Sequence, residues 1–181
     1  MLVFPVTFFQ QSGATLGGNS ISYTLNTNGG GGNTGKTICS VIASAAFGGL
    51  SGTAVRVTFT GHSGSGMTID RASIFQSAGA GDAYDGTGSA VALTFNGGSR
   101  SVTVAAGVPQ ASDTVAFVLD PTKDHIVSWT ISAGDLRYKN SATANHRQFY
   151  RTGDEVDTAD KTTGYSEDST SEPYGLSLFE W

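Results

Sequence analysis

From Thr53 to Phe59 the chain places Val55, Val57 and Phe59 in alternation with Arg56 and Thr58. Alternation sends successive side chains to opposite faces, so this run predicts a half-buried β-strand. The same period returns at Val91-Ala92-Leu93-Thr94-Phe95, at Val102-Thr103-Val104 and at Asp113 to Leu119. Between the first two of these lies Asn96-Gly97-Gly98-Ser99, a hairpin signal, so the middle of the chain predicts an antiparallel sheet.

The pattern extends outward from there. Ile21, Tyr23 and Leu25 alternate with Ser22 and Thr24, an early strand. Ile38 to Phe47 reads as a strand feeding Gly48-Gly49. Met67 to Phe75 changes its apolar phase between Ile69 and Ala72, which predicts a bulge or bend at Asp70-Arg71. His125 to Ile131 puts Val127, Trp129 and Ile131 on one face, with Trp129 in the core. Phe149-Tyr150-Arg151 is a short strand. Tyr174 to Trp181 is the last one, with Leu176 and Leu178 on one face and Phe179 and Trp181 on the other. Polar, glycine-rich stretches separate these runs. About eight to ten short strands with turn signals between them predict an all-β fold, an antiparallel, jelly-roll-like β-sandwich. It is expected as one domain over 1–181, with 1–20 an N-terminal arm or strand and 153–172 a long acidic surface loop.

Composition agrees with that class. The 181 residues include 25 Gly and only 14% charged side chains, which suits a turn-rich β protein better than a helical one. The net charge of -5, with 10 scattered Lys and Arg, supplies no basic face for nucleic acid. Cys39 is the only cysteine, so no intrachain disulfide forms, as suits a reducing compartment. The apolar start Met1 to Phe9 has no basic residue before it and is split by Pro5, so no signal peptide is expected. No apolar run approaches the length that membrane insertion needs.

Candidate chemistry changes this picture little. Gly30-Gly31-Gly32-Asn33-Thr34-Gly35-Lys36-Thr37 matches a phosphate-binding loop in full. That motif requires a buried parallel strand before it and a helix after it, and the preceding strand here alternates with polar residues. His62, His125 and His146 are expected to be exposed or locally bonded, and no catalytic residue, cofactor or zinc site is assigned. Asp154, Glu155, Asp157 and Asp160 carry oxygen ligands suited to calcium but lack the EF-hand register, so a solvated loop is expected and no metal. Tyr84 with Asp82 and Asp85, together with Tyr138 and Tyr150, puts flat rings among polar groups. Such residues stack on sugar rings and bond hydroxyls, or else cap the edge of the sandwich.

A family likeness runs from about Thr37 to Asp160. Thr37-Ile38, Phe47-Gly48-Gly49, Val55 to Phe59 and Met67-Thr68-Ile69 carry it, followed by Leu93 to Gly98, Val102 to Gly107 and Ser112 to Val115. In order and spacing these resemble the non-catalytic β-sandwich that precedes the hydrolase domain in some SGNH/GDSL-type esterases. Tyr150 with Gly153-Asp154 matches a later part of that module. The resemblance implies fold more than activity, and the Gly-Asp-Ser block of the hydrolase is absent. The composition also resembles bacteriophage virion proteins.

Two functional expectations follow. One is a non-enzymatic virion component made in the host cytoplasm, a capsid decoration protein or a tail or fibre subunit. It would contact other virion proteins or its own copies through Phe4, Phe8, Phe9, Phe179 and Trp181. The other is a stand-alone carbohydrate-binding accessory module for a cell-surface glycan, using Tyr84, Asp82, Asp85, Tyr138 and Tyr150.

Overall fold

The computed structural model describes residues 14–168 and 172–181. Among them fourteen strands follow in order: β1 Ser20–Ser22, β2 Thr27–Asn28, β3 Lys36–Ile42, β4 Gly52–Thr60, β5 Met67–Ser77, β6 Gly86–Leu93 and β7 Val102–Val104; then β8 Pro109–Ala111, β9 Val115–Leu119, β10 His125–Gly134, β11 Arg137–Tyr138, β12 His146–Thr152, β13 Ser166–Glu167 and β14 Leu176–Glu180. The excess over the expected number comes from pieces of two or three residues that carry too little pattern to be read in sequence. The fold is all-β and antiparallel, consistent with a sandwich. One sheet runs β1-β14-β4-β8 with β9 also on β4; the other runs β13-β12-β3-β10-β5-β6 with β7 also on β5; β2 and β11 form a small separate ribbon.

Alternation explains the main core. Val55, Val57 and Phe59 of β4 meet Ile69 and Ile74 of β5, Val127, Trp129 and Ile131 of β10, and Ile38 and Ile42 of β3 in one buried cluster. The phase change in β5 is a bulge at the expected place: Thr130 pairs with Arg71 and Ile131 with Ile69, which skips Asp70. The next step along β10 skips Ser132 instead, so the two irregularities compensate and the register resumes.

Two expectations are corrected and a third is refined. The turn after Phe95 is tight, with Phe95 and Ser99 exchanging backbone hydrogen bonds, but the runs on either side of it do not pair with each other. Instead β6 and β7 lie end to end along the same edge of β5, opposite Ala72–Ser77 and Met67–Ile69. In β14 the register slips between Leu176 and Leu178, so Leu176 joins Phe179 and Trp181 in the core and the simple face assignment fails. The segment 153–168 runs over the surface with most of its residues exposed, as expected, but it is anchored rather than free. It crosses the outer face of the larger sheet, where Val156 is fully buried and Tyr165 and Ala159 pack on Cys39, Val41, Phe75, Tyr84, Ile126 and Phe149. Strand β3 is therefore covered on both faces, which explains its unbroken burial from Thr37 to Ile42.

The apolar end of the chain is inside. Phe179 and Trp181 pack on Phe47 at centroid distances of 6.0 and 5.3 Å, and Trp181 Nε1 donates to the Leu50 carbonyl. As assembly contacts these two residues are thus corrected: their rings are enclosed by their own chain. Phe4, Phe8 and Phe9 lie outside the described residues.

Candidate functional site

The loop between β2 and β3, the ribbon strand β11 and strand β12 converge beside the end of the larger sheet. They enclose a cleft of roughly 240 Å³ whose lining includes Tyr138, Tyr150 and Tyr174. Leu136 forms an apolar floor and is buried. Tyr138 and Tyr174 meet through an isolated bridge, with ring centroids 5.5 Å apart in an edge-to-face arrangement. All three tyrosines are half-buried, each with part of its ring on the core.

The glycine wall of the cleft is held by Asp135. Its Oδ2 accepts the Gly31 amide at 2.7 Å, and its Oδ1 accepts Asn33 Nδ2 and the Leu136 amide, both at 2.8 Å. Gly29 crosses directly over this carboxylate. A Cβ there would lie 2.6 Å from Asp135 Oδ2, so only glycine fits. Lys36 opens β3 at the rim, its Nζ 4.8 Å from the centroid of the Tyr150 ring and 3.4 Å from Asn33 Oδ1.

This geometry disposes of the phosphate-loop match. Lys36 begins a strand, whereas the motif needs a helix there. The amides of Gly29, Gly31, Gly35 and Lys36 already donate to protein acceptors, namely Leu136 O, Asp135 Oδ2, Ile131 O and Asn33 O. They are not aimed at a phosphate.

Tyr150 also faces a second cleft of roughly 330 Å³, shared with Lys36 and lined by Arg151, Thr152, Gly164 and Ser166. Arg151 is neutralised there by Glu155 at 2.9 Å. Burial first, and then the Asp168 carboxylate that accepts its hydroxyl, push the Tyr174 phenol above its usual range, so it remains an O–H donor.

Of the five ligand residues expected from sequence, the structure brings Tyr138 and Tyr150 together and separates the others. Tyr84 is corrected: it is 6% exposed, with its ring 5.3 Å from Phe149 and 4.5 Å from Tyr165. Its hydroxyl donates to Asp82 at 2.7 Å. Asp85 accepts the Asp82 and Lys161 amides and so anchors the covering segment. Lys36, Asp135 and Tyr174 are the participants that sequence reading missed. Lys36 stood out only through the glycine motif, whereas Asp135 and Tyr174 are distant in the chain and carry no local signal.

The other candidate side chains have structural partners. His62 Nδ1 accepts the Gly64 and Ser65 amides, a locally bonded imidazole as expected. His125 and His146 are buried against aromatic rings, corrections to an exposed placement. Among the described residues no three His, Cys, Asp or Glu side chains cluster in a way that would hold a metal ion. Compared with family models and with curated proteins, the chain matches none.

Proposed function

We propose that this chain is a non-catalytic binding module whose tyrosine-lined cleft takes carbohydrate. The observation that carries the reading is the convergence of Tyr138, Tyr150 and Tyr174 around one cleft, from three separate parts of the chain. A sugar ring offers C–H faces to such rings and hydroxyls to the surrounding polar groups. The half-buried tyrosines supply the first surface, and Asn33, Lys36 and the loop backbone supply the second. The rings are already packed against the core, so little side-chain entropy is lost when a ligand arrives. The alternative role in a phage particle drew on two apolar chain ends, and with Phe179 and Trp181 buried it loses one of them.

A glycan array probed with the full chain tests the proposal. Saturable binding to a defined glycan, lost in Tyr150→Ala and in Tyr138→Ala while the thermal midpoint stays within a few degrees, is the expected result. Binding to no glycan overturns it. Tyr84→Ala is the matched control, since that ring belongs to the fold and its loss shows first as instability.

A further inference from the structure

Resting on the carbohydrate reading, a narrower one concerns charge. The chain is acidic overall, yet no Asp or Glu side chain lines either cleft beside Tyr150. Five of the six arginines, Arg56, Arg71, Arg100, Arg147 and Arg151, are matched to carboxylates, and Arg137 donates to the Asn26 carbonyl instead. Lys36 has no such match among the described residues. It stands at the junction of the two clefts, its ammonium over the Tyr150 ring, with one long contact to a neutral amide oxygen. Tyr174, on the wall of the first cleft, has its hydroxyl bonded to the Asp168 carboxylate, which lies outside the lining.

We infer that the paired clefts bind an acidic oligosaccharide, with an anionic sugar unit seated on Lys36 at the junction and a neutral unit against Tyr138 and Tyr174. The two clefts meet at Tyr150, so a chain of at least two units can lie across that ring with each unit in its own recess. The ammonium gives a charge-assisted contact to a uronate carboxylate or to a sulfate ester.

The test is an array holding neutral, uronate-bearing and sulfated glycans on matched backbones, probed with the wild type, Lys36→Met and Lys36→Arg. The anionic glycans should bind about tenfold more tightly than their neutral counterparts. That preference should weaken as salt is raised. Lys36→Met, which keeps most of the apolar stem, should remove the preference and leave neutral binding in place, and Lys36→Arg should retain it. Which anionic series binds better identifies the acid group as carboxylate or sulfate. Equal binding of neutral and anionic glycans, or a preference that survives Lys36→Met, overturns the inference and leaves the carbohydrate reading standing. Binding to no glycan removes both.

Discussion

Asp135 accepts the backbone amide of Gly31 at 2.7 Å across a sequence separation of more than a hundred residues. One buried carboxylate thereby shapes the glycine wall of the cleft, with its second oxygen shared between Asn33 and Leu136. Removing it in Asp135→Ala leaves those donors without their partner. The expected cost is about 1–3 kcal/mol in urea unfolding, together with loss of glycan binding. Unchanged stability and unchanged binding would show that the wall stands without it.

Gly29 and Gly30 separate space from sequence. Gly29→Ala drives a methyl into Asp135 and should weaken binding, whereas Gly30→Ala meets open space and should be neutral in both binding and stability. Equal behaviour of the two variants in the same titration would refute this account of the wall.

Gly175 sits at φ +65° with Trp129 against it, and a Cβ there would clash with the indole ring. Gly175→Ala therefore combines backbone strain with overpacking of the main core, for an expected loss of roughly 2–4 kcal/mol by chemical denaturation. A variant as stable as the parent would mean that the Trp129 ring can move.

The covering segment is fastened by Asp157, which accepts hydrogen bonds from Ser73 and from Arg100 and also faces Arg71. Burial raises its carboxyl, but these partners outweigh burial and hold it below the ordinary value of 3.8. A lowered folded pKa gives stability that is present above the unfolded value and is lost as pH falls through the folded one. Hydrogen exchange in 153–168 should therefore accelerate below about pH 4. Asp157→Asn should show that faster exchange already at neutral pH.

His125 has the same sign in a higher window. Burial between Phe47 and Phe117 lowers its pKa from 6.5, so the neutral ring is the one that folds. Its contribution is intact above pH 6.5 and is lost as pH falls below that toward the lowered folded value. Thermal midpoints measured from pH 7 to pH 5 should fall in the parent and fall less in His125→Phe. Parallel curves would mean that His125 is not the titrating group.

Local pattern by itself determined the fold class, the places of the long strands, the bulge at Asp70 and the burial of Trp129, because a period of two reports directly which side of a strand meets the core. It also marked Tyr138 and Tyr150 as rings in polar surroundings. Partnership was a matter for tertiary structure. Whether Val102–Val104 pairs with the run before it or with β5 depends on which sheet edge is free, and whether Tyr84 faces solvent depends on a segment some eighty residues later folding over it. The slip at Ser177 shows the same limit on a smaller scale. One unpaired residue reverses the parity of everything after it, and nothing in Leu176-Ser177-Leu178-Phe179 tells where the partner strand will skip. The site followed suit: Lys36, Asp135, Tyr150 and Tyr174 become neighbours only when β3, β10, β12 and the β14 approach are laid side by side. Contacts between distant residues are set by the global packing of the sheets, which no local window of the chain contains.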